Sequence, residues 1–554
     1  MWRKLSSAAG LVCAFSLWAG GESYFRDGER WMLTGDSITS NDTYRRAVKR
    51  IVDHFHPGNK IEFINRAVWG VDAAFKTKVE GRPTMVSVML GMNNIIHCEY
   101  PHTPDFSKKA EEYRKRIEKH VDFYKSIGAD VVLFTPTLTD ERVSSFFSPM
   151  YTRKGLEKLG EVIRGIGKEK NCLVIPVAEE LEAYDDSLGP NQLARIDGVH
   201  PYGEAQYRIA WSILHHLNAA GKLTGKRALS PVPPPVPVEV ARNSFYLNGP
   251  GDKIVLKFRG KEDVRFRLTW SLAGERGTEE IALGKDQTVS WTLPASDRAF
   301  ELAVGDQKQA VVDLQTADGK LSFYLIDLAR TRVVKPVDGE LNFTIKAPEK
   351  PQKGERSFHS KYASFAGTRP EGDLIGTVNI REDGPNLWLS GRVYDSMIDH
   401  DAYWIYGRDC LRILLDFRPG GRFGNLTIDR DVNVVMISPR TVPHFAMSAL
   451  AWNGSRYQHC MYSDGERTPD GYKWFYGYAG HITNYTAFDI RKLDVYGFNL
   501  SVIDRDGKKS FHLNSVMPTV FDDTAERALN QLIIVDRKNK FPGNETTTVQ
   551  CFGF

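Results

Sequence analysis

The chain has 554 residues, 73 basic against 69 acidic side chains for a net charge of +4, and 42% hydrophobic residues. At roughly 100–200 residues per domain, this ordinary soluble composition suggests about three domains. The charge is nearly balanced and no Lys/Arg run would make a phosphate-binding stripe, so nothing points to nucleic acid as a partner.

Met1-Trp2-Arg3-Lys4 is a short basic start, Leu5 to Trp18 is apolar or small, and Ala19-Gly20-Gly21 is a small-residue cleavage zone. That is the layout of a secretory signal peptide over residues 1–21, and it predicts a secreted or periplasmic protein. The apolar stretch is short for a membrane span, and no later segment is long and apolar enough for one. Val12 before Cys13 argues against a lipid anchor. Six cysteines less Cys13 leave Cys98, Cys172, Cys410, Cys460 and Cys551, with no CxxC or Cys/His spacing for zinc. One bridge, such as Cys410 with Cys460, stays open.

From about 25 to 225, strand-like and helix-like segments alternate. RWMLTGDS, KIEFINRAVWG, TMVSVMLGMNN, ADVVLFTPT and CLVIPV read as strands. TYRRAVKRIVDHF, KKAEEYRKRIEKHVDFYKSIG, GLEKLGEVIRGIGKEK and GEAQYRIAWSILHHLNAAG read as helices. This alternation predicts a parallel sheet covered on both faces, in a domain over 22–228. PVPPPVPVEV (Pro231 to Val240) is a stiff linker, assigned to 229–240. Beyond it, 241–347 reads as short alternating strands, KAPEKPQKGER as a second break, and 358–554 as further strands rich in Trp, Tyr and Phe. Both regions are expected to be β-sandwiches.

The chemistry concentrates at strand ends. Gly35-Asp36-Ser37 closes the first strand, and open parallel sheets place their sites beyond the carboxyl ends of strands. A serine hydroxyl there needs a base. Asp197 and His200 in RIDGVHPYG supply one: the carboxylate can hold one imidazole nitrogen and leave the other to take the serine's proton. The same spacing at Asp53 and His56 falls on the far end of a helix stopped by Pro57, and reads as a solvated helix end. Gly70 and Asn93 end the next two strands and offer a backbone N–H and a side-chain amide for an oxyanion. Each alone reads as a turn residue. Together, chance would have to supply all four features in order and in matching context.

GDSI at Gly35–Ile38, Gly70, GMNN at Gly91–Asn94 and DGVH at Asp197–His200 resemble the four blocks of the SGNH (GDSL-type) hydrolase superfamily, over less than half the chain. The resemblance implies a flavodoxin-like α/β/α domain and hydrolysis of esters, often O-acetyl groups on carbohydrate. It implies Ser37 as nucleophile, His200 as base and Asp197 as its orienting acid. Ser37, Gly70 and Asn93 would be the oxyanion donors. Asn94 stands where the family usually has Asp; it keeps the size and an acceptor but loses a charge.

Trp69, His97, Tyr100 and Tyr202 flank these blocks and either line an acyl or sugar pocket or pack at its rim. Trp69 and Tyr202 are taken as substrate-binding. His97 and His102 lack a third ligand, so no metal and no cofactor is expected. The C-terminal region resembles family-nine-like carbohydrate-binding modules in VYDSMIDHDAYWIYGRDCLRILLDFRP and YGFNLSVIDRDG. Trp404, Trp452 and Trp474 would be stacking platforms or sandwich core, and Asp395, Asp399 and Asp401 a calcium site or a solvated turn. The expected protein is an exported serine esterase acting on an O-acylated carbohydrate. Two rivals stay open. One is a lipase or thioesterase on the same site, its acyl slot formed by SSFFSPMY (Ser144 to Tyr151); the other is a non-catalytic glycan-binding protein.

Overall fold

The computed structural model describes residues 25, 27–95 (apart from 41, 59, 69 and 80), 106–140, 153–187, 199–219 (apart from 202 and 203), 234–346 (apart from 241–244 and 250) and 374–395. It also describes 410–416, 432–440, 446–452, 457–460, 463–478, 489–504, 512–515 and 533–553. The leader, the 144–151 loop and the 141–152 stretch that contains it lie outside the described residues.

RWMLTG forms β1 (Arg30–Gly35), buried from Trp31 onward. It joins β2 (Glu62–Asn65), β3 (Met85–Met89), β4 (Asp130–Phe134) and β5 (Leu173–Ile175) in a parallel sheet of order β2-β1-β3-β4-β5. This is the flavodoxin-like order. MVSVM is buried at every position, and its unbroken apolar run is what a strand covered on both faces requires. The helices are α1 (Ser37–Ser40), α2 (Thr43–Phe55), α3 (Ser107–Ser126), α4 (Arg153–Lys170), α5 (Val177–Ser187) and α6 (Glu204–Ala219). Helix α2 packs on α6, and α3 on α4. Right-handed crossovers explain the split: β1 to β2 steps one way across the sheet and β3 to β4 to β5 the other, so the two helix pairs take opposite faces. The reversal falls between β1 and β3, where such sheets open a crevice.

The remaining strands begin with β6 (Val238–Val240), β7 (Phe245–Leu247), β8 (Val255–Gly260), β9 (Val264–Leu272), β10 (Glu275–Leu283), β11 (Thr288–Thr292), β12 (Gln307–Thr316), β13 (Leu321–Val334) and β14 (Glu340–Lys346). They continue with β15 (Leu374–Asp383), β16 (Asn386–Tyr394), β17 (Cys410–Asp416), β18 (Val432–Arg440), β19 (Ala446–Trp452), β20 (Tyr457–Cys460), β21 (Ser463–Thr468) and β22 (Gly471–Tyr478). The last are β23 (Val495–Asp504), β24 (His512–Ser515), β25 (Ile533–Asp536) and β26 (Glu545–Gly553). The small sheet β11-β8-β6 shares a core with β9, β12 and β13 through Leu256, Phe258, Trp291, Leu268, Val312 and Ile326. A second core forms between the sheet β14-β15-β16-β22-β21 and the strands β17, β23 and β25.

Strand pairing crosses the boundary that the linker-like sequence at 347–357 suggests. β14 pairs with β15 across that segment, so it belongs with the later strands. β26 pairs antiparallel with β13 along Tyr324↔Gly553 to Arg332↔Glu545, and with β7, so the last strand completes the middle sheet. Trp474 is 2% exposed and packs in the second core, so of the two roles the sequence left open for it the structure shows sandwich core. On that sheet Trp388 stacks with the exposed Phe475, with centroids 5.5 Å apart. Cys410 and Cys460 sit on β17 and β20, separated by β18 and β19. Three strand spacings put them about 14 Å apart, beyond the reach of a disulfide. Cys172 and Cys551 are free thiols.

The β12–β13 face away from the sandwich core carries Val311, Leu321, Phe323 and Leu325 into the core of the α/β domain. Trp211 of α6 packs edge-on against Phe323 at 4.2 Å. Polar groups fix the register of this contact. His54 of α2 is 2% exposed and lies between Asp313 (Nε2–Oδ1 2.6 Å) and Ser271 (Nδ1–Oγ 2.6 Å). Tyr207 of α6 donates to Asp327 at 2.6 Å. The neighbouring Asp53 points outward to Lys49, and His56 closes the helix end, as the sequence suggests.

Candidate active site at the carboxyl ends of β1 and β3

β1 ends in contact with β3, with Gly35 opposite Met89. A Cβ on Gly35 would lie 2.7 Å from the Met89 carbonyl oxygen and would strike the Thr39 side chain, so only glycine lets the chain turn here. Asp36 then folds back on the turn. Its Oδ1 accepts the Ile38 N–H at 3.1 Å, and its carbonyl accepts the Ser40 N–H at 2.9 Å. These bonds start α1 at Ser37 and aim its side chain across the sheet edge. Ser37 Oγ lies 2.8 Å from His200 Nε2, and the two residues are 5% and 6% exposed. Pro201, next in the chain, accepts a bond from the Gln206 side-chain amide at 2.8 Å, which ties the histidine turn to α6.

The segment around Gly70 is held from two sides. Gly70 has φ +69°, a left-handed conformation that glycine adopts without strain. Asn93 donates its amide to the Val71 carbonyl at 2.9 Å, and Asn94 accepts the Ala73 N–H at 3.0 Å. From α3, Arg116 reaches Asp72 at 2.8 Å and His120 reaches the Ala73 carbonyl at 2.9 Å. Burial lowers the His120 pKa and so keeps the imidazole neutral; its Nε2–H donates to that carbonyl. The Asn93 amide carries two N–H donors, so one remains beyond the bond to Val71. Gly91 has φ +143°, and a Cβ there would lie 2.9 Å from the Pro136 ring.

Asp36 is the acid that sequence reasoning left without a role. It is 3% exposed, and burial pushes its carboxyl up to about 6 against the opposing pull of the Ile38 N–H and the charge of His200. Its position in Gly-Asp-Ser was visible in the sequence, but its burial was not. Asp197, Trp69, Tyr202, His97, Tyr100 and His102 lie outside the described residues. So do Trp404, Asp399, Asp401 and the Trp452 side chain, whereas Asp395 is buried. Among the described residues no group of three or more His, Cys, Asp or Glu side chains could hold a metal, and no helix is long and apolar enough to cross a membrane.

No protein-family model matches the chain, and no curated protein does. Among solved structures, a lipase/acylhydrolase from Enterococcus faecalis is similar at TM-score 0.29 and 19% identity, over 37% of this chain and 99% of that one. An acetyl-xylooligosaccharide esterase from Geobacillus Stearmophilus is similar at TM-score 0.30 and 22% identity, over 35% and 96%. A GDSL-like lipase from Bacteroides thetaiotaomicron is similar at TM-score 0.25 and 15% identity, over 34% and 87%. Likeness at this level assigns no activity to the present chain.

Proposed function

We propose that this protein is an exported serine esterase that removes ester-linked acyl groups, most specifically O-acetyl groups, from a polysaccharide or glycan. The observation that carries the reading is the buried 2.8 Å contact between Ser37 Oγ and His200 Nε2 at the β1–β3 crevice. In the proposed reaction His200 Nε2 takes the Ser37 proton as Oγ attacks the ester carbonyl. The tetrahedral oxyanion is held by the N–H groups of Ser37 and Gly70 and by the second N–H of Asn93. Collapse expels the sugar hydroxyl, which receives the proton from His200. Water then attacks the acyl-serine by the same route and releases the carboxylic acid. Asp197, three residues before His200, is proposed as the carboxylate that holds the other imidazole nitrogen. The Gly-Asp-Ser, Gly70, Gly-Met-Asn-Asn and Asp-Gly-Val-His blocks support the same assignment.

The test is acetate release from a panel of O-acetylated polysaccharides and sialoglycans and from a short-chain aryl ester. Ser37→Ala is expected to lower kcat by about 10³-fold or more. Release that persists in that variant would remove Ser37 from the mechanism. Release from long-chain aryl esters alone would move the substrate to lipids.

A further inference from the structure

We propose that Asn65 is a positioning residue for the reaction at Ser37: its side-chain amide ties the nucleophile's turn to the segment that carries the Gly70 N–H, and so sets the gap across which the oxyanion is held. This rests on the esterase reading above. Asn65 is the last residue of β2 and lies opposite Leu33 of β1. Its Nδ2 donates to the Thr39 carbonyl at 3.1 Å and to Asp42 Oδ1 at 2.9 Å, both in the turn that follows Ser37. Its Oδ1 accepts the Ala67 N–H at 3.0 Å, at the start of the run that leads to Gly70. One amide therefore uses its donors on one piece of chain and its acceptor on the other.

The two pieces it joins are each held independently. On the nucleophile side Thr39 is buried, and its carbonyl also accepts the Asp42 N–H at 3.1 Å. Asp42 takes the left-handed conformation at φ +67°, and its carboxylate pairs with Arg45 and, at 3.2 Å, with Arg46. On the Gly70 side, the Arg66 N–H donates to the Leu33 carbonyl at 2.8 Å and the Val68 N–H to the Gly35 carbonyl at 3.0 Å, which carries the β1–β2 pairing past the strand ends. Asn65 closes this frame where the chain after Ser37 has left β1. An oxyanion donor misplaced by about 1 Å costs up to about a hundredfold in rate, because its contact is made fully only in the transition state. The bond from Oδ1 to the Ala67 N–H is a local turn that Asp forms equally well. The two bonds from Nδ2 require an amide, and they are the ones that reach the nucleophile's turn.

The experiment measures hydrolysis of a short-chain aryl ester, and inhibition by an arylboronic acid, in wild type, Asn65→Asp, Asn65→Ser and Asn65→Ala, with Ser37→Ala as the blank. Rates are taken per active site titrated with a fluorophosphonate. The boronic acid forms a tetrahedral, negatively charged adduct on the serine and so reads the oxyanion donors. The expected result is a kcat lower by roughly tenfold to a hundredfold, a boronate Ki raised by a similar factor, and a KM within about threefold of wild type. Asn65→Ser keeps an oxygen for the Ala67 N–H and carries no charge, so a like loss there excludes repulsion from Asp42 as the cause. A wild-type kcat per site in Asn65→Ser and Asn65→Ala would overturn the proposal. So would a lower kcat with an unmoved boronate Ki, or a failure of all three variants to fold, since either marks a purely structural residue. Wild type inert to the fluorophosphonate and to every ester would overturn the esterase reading itself, a result distinct from an active serine whose rate ignores residue 65.

Discussion

At Asn94 a neutral side chain does mechanical work. Its Oδ1 accepts the N–H of Ala73, a residue 1% exposed, and so holds the segment that presents Gly70. Asn94→Ala would leave that N–H buried without a partner, at a cost of about 1–3 kcal/mol. The expected kinetic effect is a lower kcat with a smaller change in KM, because the proposed oxyanion donors lose their alignment rather than their identity. Asn94→Asp keeps the acceptor and should stay within a few-fold of wild type; a dead Asp variant with a healthy Ala variant would refute this account. Ser37, Gly70, Asn93 and His200 could be singled out from the sequence because each type carries a recognisable chemistry at a strand end. The bonds from Asn93 to Val71 and from His120 to Ala73 could not, because an amide or imidazole chooses its partner in space.

At the scale of elements, the helix that follows His200 has two jobs. α6 packs on α2 within the α/β domain and presses Tyr207 and Trp211 against β13. Asp327 on β13 accepts bonds from Tyr207 and from Gln309, yet burial still pushes its carboxyl up to about 6. An unfolded Asp titrates near 4, so the folded protein holds this proton more tightly. The stability this group contributes is therefore full below about pH 4 and is lost as pH rises through about 6, on the order of 3 kcal/mol. Asp327→Asn should flatten that part of the profile. Urea midpoints at pH 5 and pH 7.5 would check it: wild type should lose more stability than the variant, and parallel behaviour would reject the claim. The sequence LSFYLIDL signals this interface through its lack of alternation, because a strand buried on both faces has no polar side. Reading it as an ordinary sandwich strand missed the second face.

For the whole molecule, the chain closes on itself. β26 lies between β13 and β7, over two hundred positions away in sequence, and buries Val549 and Cys551 in the middle core. Removing residues 545–554 should strip two rows of ladder bonds and expose that core. The expected outcome is insoluble or protease-sensitive protein in which the middle sheet has opened; a truncated chain with wild-type urea midpoint would show the strand to be dispensable. Because the same middle sheet supports α2 and α6, the damage is expected to reach ester hydrolysis as well.

The sequence by itself determined the alternation of buried strands and helices, the order of the motif blocks and the change of grammar after the proline run. These are local properties, written in hydrophobic period and in the few residue types that turns and nucleophiles accept. Tertiary structure decided which strands pair across the 347–357 break, that Trp474 is core, that Cys410 and Cys460 lie apart, and that Asp36 is buried. Strand pairing depends on edges left open elsewhere in the chain, and the charge state of a carboxyl depends on what excludes water from it. Neither is carried by the residues next door.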